Sequence, residues 1–255
     1  MSAPSEPLAL LPGGAESLRP RFRRRFPRIH RSALWRRLFH WRQLDFEFAS
    51  WQMLYLLVSP QRVYRNIYYH KQTKNQWARD DPAFLILQVL GLVITTASYS
   101  VVYGSGTNGF LKALLQLLVV NYLVSGVVLA TLTWLVANRF LRHQNVHAAD
   151  QQVEWMYAFD VHCNAFFTLF VFAYVLQFCF LPILMKTAWI SLFLGNTLFA
   201  LAGAGYAFTT YLGFHAMPFL HHQEVFLYTI PLIAIGYLLS LFGFNISHHL
   251  LDFYF

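Results

Sequence analysis

Five long apolar runs, separated by short polar breaks, fill the chain from Pro82 onward. They cover about 82–103, 111–137, 159–185, 188–212 and 225–246. Each exceeds the ~20 residues that an α-helix needs to cross a bilayer. Backbone groups in lipid must pair within their own segment, so each run reads as a transmembrane helix. Asp80-Asp81-Pro82 is a start signal for the first. Aspartate caps a helix, proline favours its first turn, and carboxylates suit its positive end. Gly104 to Gly109 reads as a tight turn, and 138–158 as a polar loop. Pro182 interrupts the third run and Pro231 lies inside the fifth.

The pattern changes before Pro82. Phe46 to Val58 is apolar except for Glu47, Ser50 and Gln52. Such a segment rises only about 20 Å, short of the hydrocarbon layer, so it reads as interfacial or buried. Ser59 and Pro60 should open a further helix, through Val63, Tyr64, Ile67 and Tyr68, with Arg62, Arg65, Lys71, Lys74 and Arg79. Ser32 is a candidate cap for an earlier helix with Leu34, Leu38, Trp41 and Phe48 on one side. That helix suits either a membrane interface or the protein's own cytosolic face. Residues 1–31, rich in Pro, Gly, Ser and Arg, read as a disordered tail. The expected architecture is therefore all-α and polytopic. A 1–31 tail and cytosolic amphipathic and basic helices over 32–81 precede a five-span bundle over 82–255.

Composition sharpens this. Hydrophobic residues make up 57% of the chain and charged ones 12%, against about a quarter charged in a soluble domain. Residues 1–81 carry 15 basic and 6 acidic side chains, and residues 82–255 carry 4 and 5. Basic residues stay on the cytosolic side, so the N-terminus is expected there and, after five spans, Phe255 in the lumen. No cleavable secretory signal is legible, because Leu8 to Leu11 is too short an apolar core. An odd number of spans weighs against a two-fold repeated transporter. Cys163 and Cys179 lie about 24 Å apart along one helix, too far for a disulfide.

Candidate chemistry is sparse. Asp160 and His162 open the third span, with Asp150 and Glu154 upstream. Ionisable groups in spans are candidates for function, but this pair is expected at headgroup level, where polar groups are cheap. His221, His222 and Glu224 resemble a metal-ligand fragment, as do His248, His249 and Asp252. The expected topology puts them on opposite sides of the membrane. Asn121, Asn164 and Asn196 lie in apolar runs and read as helix-packing residues. Asn245-Ile-Ser247 fits a glycosylation acceptor but abuts the bilayer. No nucleophile elbow, phosphate loop or paired-cysteine motif is present in the sequence. No catalytic, cofactor or metal site is expected. Arg19, Arg21, Arg23, Arg24 and Arg25, then Arg36, Arg37 and Arg42, form a basic, aromatic-interleaved stretch. It suits anionic lipid or RNA.

From about Trp35 onward the chain resembles the uncoordinated-fifty family of membrane proteins. The residues that carry the resemblance are LDFEFA (44–49), WQMLYLLVSPQRVYRNIYYHKQTKNQWARDDPAF (51–84), VEWMYAFDVHCNAF (153–166), LGNTL (194–198) and YLGFHAMPFL (211–220). The resemblance implies a five-span protein of the Golgi and early secretory pathway with a cytosolic N-terminus. It further implies a role in delivery of nicotinic-type acetylcholine receptors and a link to exchange factors for Arf GTPases. RNA association and residence in the ER or inner nuclear membrane are also attached to it. It supplies no catalytic residues. On this reading, the docking surface for a trafficking factor would include Asp45, Glu47, Trp51, Arg62, Tyr64, Arg65, Trp77 and Arg79.

Overall fold

The computed structural model describes residues 44–74, 77–142, 151–186, 188–247 and 249–250. Among these residues the regular elements are helical, and five helices are long and apolar enough to cross a membrane. Helix α1 runs Phe46–Val58, behind Asp45, whose Oδ1 accepts from the Phe48 N–H at 2.8 Å. An amphipathic helix running unbroken through Phe48 is therefore corrected: a new helix starts at Phe46 because Asp45 supplies its cap. The rest of that expected helix, with the Arg-rich tail, lies outside the described residues. Helix α2 follows over Pro60–Lys74 and begins at the proline, as expected.

Helix α3, Ala83–Tyr103, is the first span. Asp81 does more than start it. Its Oδ1 accepts from Ala83 N at 3.0 Å and its Oδ2 from Asp45 N at 2.8 Å. One carboxylate thus ties the start of α1 to the start of α3. The turn that follows is tighter than 104–109: Gly104 (φ 62°) and Gly106 (φ 65°) take left-handed conformations and α4 begins at once.

Helix α4 covers Gly106–Leu141, longer than the expected 111–137, with π-helical stretches at Gln116–Val124 and Ala137–Leu141. Its 36 residues would rise about 50 Å and overrun a ~30 Å hydrocarbon layer. Helix α5, Trp155–Cys179, starts earlier than 159 and ends before Pro182, which sits in a short α6 (Leu181–Leu184). Helix α7 spans Trp189–His215, and α8 spans Gln223–Ser240. The first turns of α8 are 3₁₀, and Pro231 falls in the opening turn of its α-helical part, where no helical N–H partner is needed.

The centre of the bundle is α5. Half of its apolar window is buried, against 11% for α8. One buried cluster joins Leu56, Tyr64, Phe84, Leu92, Tyr122 and Phe166, and so draws on α1 to α5 together. A second joins Trp77, Ala137, Tyr157, Phe214 and Phe226. The His221 N–H donates to the Leu141 carbonyl at 2.8 Å, so α4 and α7 finish side by side. Helices α1 and α2 pack against α3, α5 and α7 and cap one end of the bundle.

Candidate functional site: a clamped cup at the capped end

The short linker between α2 and α3 closes the capped end. Trp77 is 8% exposed and meets Tyr157 edge-on at 5.8 Å and Phe219 at 6.5 Å. Two residues on, Arg79 makes three anchors. Its backbone N–H donates to Asp160 Oδ2 at 2.5 Å, and its Nη2 donates to Asn164 Oδ1 at 2.7 Å. Its guanidinium lies 4.1 Å from the Phe84 ring centre, a cation–π distance. Asp160 and Asn164 can share the task because they are four residues apart on α5 and face the same way. Arg79 Nη1 is buried with no hydrogen-bond partner.

Above this clamp opens a cup of about 400 Å³. Asp45, Asp80, Asp81, Asp160 and Arg79 are the charged residues that line it among the described residues. Phe48, Trp77 and Tyr157 supply aromatic wall, and Gln52 of α1 also lines it.

His162 lies deeper. It is 3% exposed, packed inside the bundle. Its Nε2 lies 3.1 Å from the Tyr122 carbonyl and its Nδ1 2.8 Å from the Tyr206 hydroxyl. A carbonyl only accepts, so Nε2 donates there. A singly protonated ring then accepts from Tyr206 at Nδ1. The imidazole thereby ties α5 to α4 and α7. A Cβ at Gly126 would stand 2.6 Å from its Nε2, so α4 approaches this ring only through a glycine. Likewise Tyr157 donates to the Gly213 carbonyl at 2.6 Å, pinning α5 to α7.

The sequence-derived docking residues separate into two groups. Tyr64 and Trp77 are buried, and Arg79 is turned into the clamp. Burial pushes the Tyr64 hydroxyl well above the ordinary tyrosine range; it sits near Asn164 without hydrogen-bonding geometry. Asp45, Glu47, Arg62 and Arg65 are exposed, and Trp51 is half-buried between Phe48 and Tyr55. Arg62 rests over the Tyr55 ring at 5.5 Å. The Arg19–Arg42 set and Asp150 lie outside the described residues. Glu154 is exposed, and its carbonyl, not its carboxylate, receives the first N–H groups of α5. Among the described residues no three His, Cys, Asp or Glu side chains converge as metal ligands.

Two further residues were not singled out from sequence: Asp81 as a staple between helices, and Gln52 in the cup. The only sequence signal for the first was its place in Asp80-Asp81-Pro82. Asn164 and Asn196 hold elements together as amides in spans should. Asn196 donates to Ser240 Oγ and to the Phe244 carbonyl, both at 2.9 Å, and accepts from Ile246 N. That packing leaves Ser247 of the acceptor pattern 1% exposed.

A sequence model described as the UNC-50 family matches residues 34–255. The chain belongs to the UNC-50 family. It is 42% identical over 246 residues to the protein unc-50 homolog of Dictyostelium discoideum, covering 95% of this chain and 92% of that one. It is 44% identical over 221 residues to the human protein unc-50 homolog, covering 86% and 85%. Protein unc-50 of Caenorhabditis elegans is 46% identical over 221 residues, covering 86% of this chain and 72% of its own length. No solved structure matches the chain significantly. The UNC-50 match takes in both cap helices, the clamp and all five spans; it leaves Arg19 to Arg31 outside.

Proposed function

We propose that this UNC-50 family member is a non-enzymatic scaffold in the membrane of the Golgi and early secretory pathway. It serves vesicle-mediated protein transport, supports assembly or surface delivery of nicotinic-type receptor subunits, and recruits an exchange factor for Arf GTPases at its cytosolic face. The compartment and clients come from the family resemblance. The sidedness comes from the basic bias of residues 1–81.

One observation carries the scaffold reading. Helices α1 and α2 are fixed to the spans through the Arg79 clamp, while Glu47, Arg62 and Arg65 stay exposed on them. A surface fixed in this way loses little conformational freedom on binding. An enzyme built on Asp160 and His162 is disfavoured, because one holds a backbone N–H and the other bridges three helices.

The test is charge reversal. Arg62→Glu with Arg65→Glu should cut recovery of cytosolic trafficking factors in proximity labelling by about tenfold, leaving compartment and thermal stability unchanged. Undiminished recovery refutes the docking face. RNA tethering through Arg19–Arg42 is the alternative; it predicts that changing those arginines to glutamine abolishes RNA crosslinking.

A further inference from the structure

The last turns of α1 are apolar on both sides. Leu56 packs inward and is buried. Leu54, Leu57 and Val58 point the other way and are 59%, 39% and 74% exposed. Their spacing groups them on one face of the helix. Single apolar residues at a surface are ordinary, but a cluster of large ones marks a contact.

The ties of α1 place this cluster. Asp45, just before the helix, donates its N–H to Asp81 Oδ2, and Asp81 stands just before the first span. From there α1 packs against α3. It is therefore held at the edge where α3 enters the bilayer. Trp51 and Tyr55 lie along it with ring centres 4.5 Å apart, and such amphipathic rings settle at headgroup level. After the turn at Ser59, Arg62 and Arg65 are exposed on the opening turns of α2. Arg62 rests over the Tyr55 ring at 5.5 Å, which sets the basic residues beside the apolar turn of α1. No acidic residue occurs from Met53 to Lys74.

We propose that the tip where α1 meets α2 is a binding surface for anionic phospholipid. Leu54, Leu57 and Val58 enter the hydrocarbon of the adjoining leaflet, Trp51 and Tyr55 lie at its headgroups, and Arg62 and Arg65 take lipid phosphate. A leaflet supplies both halves of this surface at once, hydrocarbon for the apolar turn and negative charge for the arginines. Such binding needs no client and no docked factor. A trafficking factor that reaches Arg62 and Arg65 would meet them within the headgroup layer.

The experiment places the full-length protein in phosphatidylcholine vesicles with no partner protein present, so a failure of the docking face and a failure of the lipid surface are separate results. In a Cys179→Ser background, Val58→Cys carries a polarity-sensitive dye; Cys163 is buried and stays unlabelled while the fold is intact. Leu54→Cys gives a second position should the first misfold, and Glu154→Cys, exposed at the start of α5, is the control. A lipid bearing a nitroxide on its acyl chain should quench the dye at 58 and at 54, and aqueous iodide should not. The dye at 154 should behave in the opposite way. Nitroxide-labelled phosphatidylserine should quench position 58 more than the phosphatidylcholine analogue does. Arg62→Gln and Arg65→Gln should each cut that preference by about fivefold, the factor expected for one basic residue at an anionic surface. Lys186→Gln, exposed beyond the far end of α5, should change it less than about twofold. Quenching by iodide at 58 as strong as at 154 overturns the proposal, as does equal quenching by the two lipids. A dye at 58 shielded from both iodide and lipid also overturns it, because a second copy of the chain then covers the tip.

Discussion

Replacing Asn164 with leucine tests whether the Arg79 clamp holds the cap helices to the spans. The two side chains are close in volume, so the change opens little cavity. What it removes is the acceptor at 2.7 Å from Arg79 Nη2. Nη1 already lacks a partner, so the guanidinium would keep only its contact with the Phe84 ring. A hydrogen bond to a charged group contributes about 1.5–3 kcal/mol. For a chain of this size about 1 kcal/mol moves the unfolding midpoint by ~2–4 °C, giving a fall of roughly 3–12 °C. The chain supplies its own reporter. Cys163, one residue away, is fully buried, and the second cysteine, Cys179, is exposed. In a Cys179→Ser background, a thiol-reactive dye reads unfolding as Cys163 becomes accessible. Arg79→Met should produce a comparable fall. Combining it with Asn164→Leu should add little, because both remove one interaction. A midpoint unchanged within about 1 °C, or strictly additive losses, refutes the clamp.

Two further outcomes follow from the packing. A Cβ at Gly213 would stand 2.7 Å from both γ-carbons of Val161, so Gly213→Ala should destabilise by about 1–3 kcal/mol in the same dye assay. Gly236→Ala meets nothing within 4 Å and should be neutral or stabilising. Tyr64→Phe removes a buried hydroxyl without a partner, so it should cost nothing or stabilise at neutral pH. Its pH signature has a definite sign. The folded-state pKa lies above the ordinary value, so above about pH 10 the unfolded chain loses this proton first and stability falls as pH rises. Tyr64→Phe should flatten that fall, and an unchanged alkaline slope would count against the burial argument.

The spans were legible because lipid imposes a composition that few other environments tolerate. Their ends were less so. Apolar content cannot see that Gly104 and Gly106 reverse the chain within two residues, nor that α4 continues past Val136 in a π-helical register. The caps were half legible. Pro60 opened a helix as its chemistry dictates, whereas Asp81 proved to hold two helix starts at once. That second bond joins residues 36 apart and has no local signature.

The site was the least legible part, for a physical reason. Read singly, Arg79 is one more basic residue in a cationic segment, and Asp160 is an acid near a membrane surface. Their pairing spans 81 positions and exists only because α1 and α2 fold back over the start of α5. An acid at the mouth of a span that needs a polar partner, and a basic linker that must cross that mouth, were both in the sequence. What the sequence lacked was the fold-back that brings them together. The same fold-back makes the cup: it sets Asp45 and Gln52 from α1 against Asp160 from α5 around one space. Variants that loosen the clamp should therefore misplace the exposed face of α1 and α2 as well as lower stability.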